Sequence, residues 1–221
     1  MEKNKVIIFG LQDYAELAHY YLVNDSVFEV VAFCVDEAYL PKYRLFKGLP
    51  VVPFEMVDAT YPANEFCFFA PLAPQKMNQI RESIYHKIKE KGYRMISYIS
   101  SKATIFDNEI GDNCFILENN TLQPFTKIGN NVVLWSGNHI GHHGEIKDHV
   151  TVTSHVVISG HCIVGENSFL GVTSTLRDGI ILAKGTLVAM AAAITKNTEE
   201  WGIYIGNPAK KMEGKTSTQL I

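Results

Sequence analysis

From Ile110 to Glu199 an aliphatic residue returns at every sixth position. Cut at that interval the chain reads IGDNCF, ILENNT, LQPFTK, IGNNVV, LWSGNH, IGHHGE, IKDHVT, VTSHVV, ISGHCI, VGENSF, LGVTST, LRDGII, LAKGTL, VAMAAA, ITKNTE, and all fifteen blocks begin with Ile, Leu or Val. The fifth place is Cys, Thr, Val, Gly, Ser or Ala in twelve of the fifteen, with Asn120, Asn138 and Ile180 as the exceptions. A period of six is neither the 3.6 of a helix nor the alternation of a half-buried strand. It requires a chain that turns a corner every six residues, points the aliphatic first residue inward and tucks a small residue near each corner. That is a hexapeptide β-helix, in which three blocks close one triangular coil and residues 18 apart stack at roughly the 4.8 Å strand spacing. Residues 110–199 predict about five coils with no interrupting loop.

The first hundred residues follow another rhythm. KVIIFG at 5–10 predicts a short buried strand, YAELAHYYLV a helix with apolar positions three and four apart, and FEVVAFCVD a second strand ending at Asp36. A weaker strand at GLPVVP, a strand at EFCFFAPL, a helix from about Gln75 to Lys91 and a strand at RMISYIS complete an alternating β/α pattern, that of a small Rossmann-like domain. The lysines of KIKEKG suit a helix C-terminus, with Gly92 as the stop. The expected organisation is a Rossmann-like α/β domain at 1–100, an all-β helix at 101–200 and a C-terminal cap at 201–221.

A dinucleotide fingerprint would show GxGxxG after the first strand. The turn here, from Gly10 to Ala15, keeps one glycine, which argues against NAD. It still offers Gly10, Gln12 and Tyr14 at the carboxyl end of the sheet, where ligands of open α/β sheets bind. Asp36 is placed to accept hydrogen bonds from a ribose or a base edge, or else serves as a turn former.

The repeat also orients the histidines, six of whose eight fall between His139 and His161. His143, His149, His155 and His161 take the fourth place of consecutive blocks, so they lie on successive edges and only His143 and His161 stack. His142 takes a third place, pointing outward, with Gly160 directly above it in the next coil. The Gly160 backbone amide is then placed to receive an oxyanion. Asn138 stacks on Asn120, either as an asparagine ladder inside the coil or as a group that orients His142.

A formal charge of −3 gives no general attraction to nucleic acid or to an anionic membrane. Cys34, Cys67, Cys114 and Cys162 are scattered and form no CxxC pair, which suits reduced thiols in a cytosol. The start has too short an apolar run for a signal peptide, and no segment approaches 18 apolar residues. A cytoplasmic protein is expected.

A small Rossmann-like domain feeding a hexapeptide solenoid, with FKGLPVVP in the first part and GNPAKKM after the last coil, resembles bacterial sugar acetyltransferases of the sialic acid O-acetyltransferase type. Within them it looks most like the N-acetyltransferases of nucleotide-linked 4-amino-4,6-dideoxy sugars. The resemblance implies a left-handed β-helix, a homotrimer, a first domain that holds the nucleotide of the sugar, and acetyl-CoA lying along the solenoid between subunits, with no metal required. The family's catalytic histidine stands in a segment SGxxIxHD or SGxxIxHE; here SGNHIGHH puts His142 at that position and His143 where the acidic residue belongs. In the family's GAGGHA turn the histidine position is Tyr14 here. GNPAKKM lies where the family places the adenine and phosphate end of CoA, so Asn207, Pro208, Lys210 and Lys211 are expected there.

Acetyl transfer to an amine needs a group that takes the nitrogen's proton as the thioester is attacked, and an imidazole suits that role. Other readings of the same solenoid are a sugar O-acetyltransferase, a metal hydratase resembling γ-class carbonic anhydrases, and a non-catalytic sugar-nucleotide-binding scaffold.

Overall fold

The computed structural model describes residues 4–221; Met1 to Lys3, the head of the expected first domain, lie outside the described residues. The first unit runs β1 (Lys5–Phe9), α1 (Asp13–Asn24), β2 (Glu29–Val35), β3 (Leu45–Phe46), β4 (Leu49–Pro53), α2 (Val57–Thr60), β5 (Phe66–Phe69), α3 (Gln79–Glu90) and β6 (Arg94–Met95). Its sheet has the order β3-β4-β2-β1-β5-β6 and is parallel except between β3 and β4. Successive strand residues face opposite sides, so Val6 and Ile8 pack with α1 while Ile7 and Phe9 pack with α2 and α3. Both faces are covered, which is why these strands read as continuous apolar runs.

Helix α3 starts at Gln79, four residues later than expected, because Lys76, Met77 and Asn78 all hold positive φ. Asn78 is fully buried there, and its amide donates to the Asn167 and Ser168 carbonyls of the solenoid at 3.1 and 3.3 Å.

The expected strand RMISYIS is two strands in two sheets. Arg94–Met95 pairs with β5, whereas Tyr98–Ile99 pairs with Phe115–Ile116 and is already solenoid. Thr104–Ile105 likewise pairs with Thr121–Leu122, so the coils begin about one turn before Ile110. Two-residue strands then recur in three sheets of six, four and eight strands, parallel throughout except for the last strand of the largest. First-place residues from Ile116 to Ile194 and fifth-place residues such as Cys114, Val132, Val150 and Cys162 form one apolar column. The eight-stranded sheet continues past the last hexapeptide through Ile203–Ile205, and Lys210–Lys211 folds back antiparallel on it as its last strand.

Every fourth-place residue from Asn113 to Ala191 has φ between 54° and 80°. This left-handed conformation is uncommon for a residue with a Cβ, and Asn and His are among those that adopt it most readily. Four asparagines, four histidines and three glycines therefore fill eleven of these fourteen corners. The histidine-rich stretch has a backbone reason before it has a chemical one.

The first unit rests on the solenoid through α1 and the carboxyl end of β5, where Tyr21 and Phe69 lie against Phe115 at ring distances of 6.0 and 5.4 Å, and through the start of α3, where Asn78 and Arg81 bond to solenoid residues. No helix among the described residues is long and apolar enough to cross a membrane.

Candidate active site

The corner at His142 and His143 is set by the strand His139–Ile140 below it and by the left-handed φ of His143. That φ turns the two imidazoles toward each other, with Nδ1 to Nδ1 at 3.0 Å. One nitrogen must donate and the other accept. If His142 donates, its Nε2 is left with a free lone pair. The His142 backbone N–H donates to Gln123 Oε1 at 3.1 Å, which fixes the base of the side chain. His161 completes a triangle, with ring centroids 5.1 Å from His142 and 5.2 Å from His143, stacked on the latter at 19°. Phe125 lies on the other side of His143 at 4.7 Å. One ligating nitrogen from each of the three histidines can be chosen so that all lie within 4.8 Å of one another.

Gly160 sits against His142 as the eighteen-residue stacking requires. A Cβ there would come 2.8 Å from Cε1 and 3.0 Å from Nε2 of His142, and 3.0 Å from Asp178 Oδ1. Among the described residues its N–H has no protein acceptor.

A cleft of about 600 Å³ opens at the carboxyl ends of β1, β2 and β5. The chain runs from β1 to β2 on one side of it while β5 joins on the other, which is the switch point at which open α/β sheets bind ligands. Gly10, Gln12, Tyr14 and Asp36 all line it, together with Tyr39 and Leu72. Gly10 holds φ of +116°, which lets its N–H reach the Cys34 carbonyl at 2.8 Å and the chain turn into α1. Asp36 is half-buried and makes no side-chain cap to the short helix it precedes, so its carboxylate faces the cleft uncommitted. Tyr14 meets Trp135 of the solenoid in a T-shaped contact at 5.5 Å, and burial raises its phenol pKa.

A second histidine grouping, Glu82, His86 and His149, lies where α3 packs on the solenoid. Arg81 is its neighbour, completely buried. It donates to the Asn131 backbone carbonyl, to Asn78 Oδ1 at 2.8 Å, to Thr151 Oγ1 at 2.9 Å and to the His149 carbonyl at 3.2 Å, with no carboxylate among its partners. Burial pushes its pKa down to about 10, so it keeps its charge at neutral pH. An amide ladder climbs beside it. Asn113 Nδ2 donates to Asn131 Oδ1 at 2.8 Å, and Asn131 Nδ2 to His149 Nδ1 at 2.8 Å. The Asn131 orientation is fixed because its Oδ1 also receives Arg81. His149 Nδ1 is therefore the acceptor, and its proton sits on Nε2, 3.8 Å from Glu82 Oε1. Burial lowers the His149 pKa. His149 here is one rung of a hydrogen-bonded strut between α3 and the solenoid.

Some sequence-derived candidates converge and others do not. His142, His143 and Gly160 share one corner, and the four first-domain residues share the cleft. Asn138 belongs to neither: it is buried inside the coil, donating to the Trp135 carbonyl at 2.5 Å and accepting from the Val156 N–H at 2.7 Å, so both ends of its amide are spent on backbone. Asn120 donates to the same Trp135 carbonyl, so the two stacked amides meet through backbone and not through each other. The turn Gly206 to Ala209 is pinned beside Ala193, three coils of about 4.8 Å above His139 on the same face. Asn207, Pro208 and Lys210 are exposed there, while Lys211 is held by Glu199 at 2.6 Å. His161 and Gln123 were missed as members of the His142 corner, although the eighteen-residue offset already stacks His161 on His143.

Residues 109–142 match the family described as bacterial transferase hexapeptide (six repeats). Among solved structures, the chain is similar to a variant of perosamine N-acetyltransferase from Caulobacter crescentus in complex with CoA and GDP-perosamine, with a TM-score of 0.83 and 19% identity over 95% of this chain and 97% of that one. The acetyltransferase domain of PglB from Neisseria gonorrhoeae gives a TM-score of 0.83 at 16% identity, over 95% and 100% of the two chains. WeeI from Acinetobacter baumannii gives 0.69 at 19% identity, again over 95% and 100%. The likeness is one of fold, and it extends over both halves of the chain.

Proposed function

We propose that this chain is an acetyl-CoA-dependent N-acetyltransferase that acts on the amino group of a nucleotide-linked amino-deoxy sugar, in the biosynthesis of a bacterial surface glycan. The observation that carries the reading is the corner itself. An exposed imidazole has its Nδ1 3.0 Å from a second imidazole, and a glycine bearing a free N–H stacks against it. The fold match to an enzyme solved with CoA and GDP-perosamine supports the choice of substrates.

The chemistry follows from that geometry. The sugar amine attacks the thioester carbonyl carbon, the carbonyl oxygen gains the electron pair and meets the Gly160 N–H, and the nitrogen's proton passes to His142 Nε2. Collapse of the tetrahedral intermediate breaks the C–S bond, and the departing thiolate takes the proton from His142, leaving an acetamide and CoA. His143 acts as a positioning residue: its Nδ1 accepts from His142 Nδ1–H and so keeps the lone pair on Nε2. A second imidazole stands here where the SGxxIxHD and SGxxIxHE segments have a carboxylate.

The Rossmann-like first domain holds the nucleotide. Asp36 receives a base or ribose hydrogen bond, and the Gly10–Gln12 turn presents the free amides at the start of α1 to the sugar diphosphate. The cleft borders the Ser136–Gly137 corner through Tyr14 and Trp135, whereas His142 is on the next corner round. One chain therefore does not bring the two together, which supports a homotrimer whose active sites are shared between neighbours. Acetyl-CoA then lies along the face between Gly160 and the Asn207–Pro208 turn, with Lys210 free to meet a phosphate. The test is CoA-thiol release with UDP-, dTDP- and GDP-linked amino sugars. Turnover with one of them is expected; release with hydroxyl acceptors alone would make the enzyme an O-acetyltransferase, and none with any would remove the catalytic reading.

A further inference from the structure

We propose that His142, His143 and His161 form a binding site for a single divalent transition-metal ion of the zinc class, and that occupancy switches the corner off. The three rings come from one chain and are all exposed, so they can turn about their side-chain torsions without disturbing the apolar column. Two of them are already spaced as ligands. A tetrahedral ion with metal–nitrogen bonds of 2.0–2.1 Å holds its ligands about 3.3 Å apart, and the two Nδ1 atoms stand at 3.0 Å. His161 supplies the third side: one nitrogen from each of the three rings can be chosen so that all lie within 4.8 Å of one another, and turning the exposed rings brings them to ligand spacing. The site has a floor and an open roof. Phe125 packs beneath His143, and Gly179, above His161 in the same column, has open space where a Cβ would be. Three imidazoles leave a fourth position to water, a donor set that suits zinc, cobalt, nickel or copper and not magnesium or calcium.

The other histidine grouping shows what a non-ligating arrangement looks like. There His149 Nδ1 is occupied by Asn131 and its Nε2 proton faces Glu82, so no lone pair is available without breaking the amide ladder. At the His142 corner the only bond to be given up is the one between the two rings.

The switching part rests on the acetyl-transfer reading. If the ion takes His142 Nε2, the lone pair that accepts the amine proton is consumed. If it takes Nδ1, the ring proton moves to Nε2, and the same lone pair is lost. Either mode silences the base.

The experiment uses the full chain stripped of metal with a chelator and titrated with Co²⁺, followed by calorimetry and by visible absorption. One ion per chain is expected, with an absorption band of low-symmetry coordination. His161→Asn, which places at that corner the residue type used at Asn131 and Asn167, should weaken binding at least tenfold while thermal unfolding stays unchanged. His149→Asn should bind as the parent does. No binding at millimolar Co²⁺, binding unaltered in His161→Asn, or binding lost in a folded His149→Asn would overturn the site. Acetyl transfer unaffected by saturating Zn²⁺ would overturn the switch. Co²⁺ binding in a chain with no acetyl transfer would leave the site standing and count against the enzyme reading alone.

Discussion

Gly160→Ala separates the chemistry of the corner from its stability. Gly160 does not hold a left-handed φ, so alanine brings no backbone strain. The new Cβ would meet His142 Cε1 at 2.8 Å and Nε2 at 3.0 Å, where an ordinary contact is about 3.5–4.0 Å. The ring must retreat by about 0.7–1 Å. Because His142 is exposed and the third close atom is a carboxylate oxygen of Asp178, both obstacles are ends of movable side chains, and the thermal midpoint should shift by no more than about 2 °C. A displacement of about 1 Å in a catalytic group can cost on the order of 100-fold, so turnover in the thiol-release assay should fall by roughly that factor. Gly141→Ala is the control. Its Cβ would fall 2.5 Å from Ser159 C and 2.6 Å from Gly160 N, backbone atoms that cannot step aside, and overpacking of that kind costs about 1–3 kcal/mol. Turnover of Gly160→Ala within threefold of the parent, with the fold intact, would show that His142 does not need its present position and is not the base.

Four further outcomes are expected. His142→Asn should lower turnover by roughly 100-fold or more with acetyl-CoA affinity unchanged, measured by calorimetry, and should remove the loss of activity that acidification causes when the base is protonated. His143→Asn, which tolerates the left-handed corner and offers an acceptor to His142 Nδ1, should retain more activity than His143→Ala, mainly in kcat; equal losses would deny it a positioning role. Asp36→Ala should raise the KM for the sugar nucleotide well above any change for acetyl-CoA. For His149, burial holds the folded pKa below the unfolded value of 6.5, so the unfolded chain binds more protons below about pH 6.5 and stability falls as pH drops through that value. His149→Asn should keep the amide ladder and flatten this acid slope in urea melts between pH 7.5 and 5.5; an unchanged slope would place the titrating group elsewhere.

The solenoid was legible because its core repeats in one dimension: the first and fifth places are the column, and nothing else in the fold competes for them. The boundary was not. ISYIS looks the same as the last strand of a β/α sheet or as the first edge of a coil, since a two-residue strand carries no period, and only its pairing with Phe115–Ile116 decides. The corner histidines were placed correctly by counting, yet the left-handed φ that selects them was visible only as an excess of Asn, His and Gly at the fourth place. Arg81 was illegible for a different reason. In QIRESIYHKIKE it reads as one more polar residue on an amphipathic helix, and its burial depends on neutral acceptors from Asn131, His149 and Thr151, which lie fifty to seventy positions away. Asn138 misled because an unusual residue in a repeat invites a functional reading, while the coil had its own use for the amide.

The eighteen-residue coil also sets which lengths of insertion or deletion this chain can absorb. Removing one hexapeptide from the stretch between Phe115 and Trp135 would leave every aliphatic residue facing inward, and the shortened solenoid would still close. Everything beyond the cut, however, would be turned by a third of a revolution about the long axis. His142 would then point in a direction now occupied by another edge, and the first domain, anchored to Phe115 and Asn113 below the cut and to His149, Thr151 and Asn167 above it, could not keep both sets of contacts. A whole coil gained or lost would keep every edge in its direction and move those upper anchors along the axis by about 4.8 Å. Length changes in this chain are thus quantised twice, in sixes for folding and in eighteens for keeping the imidazoles in phase with the cleft.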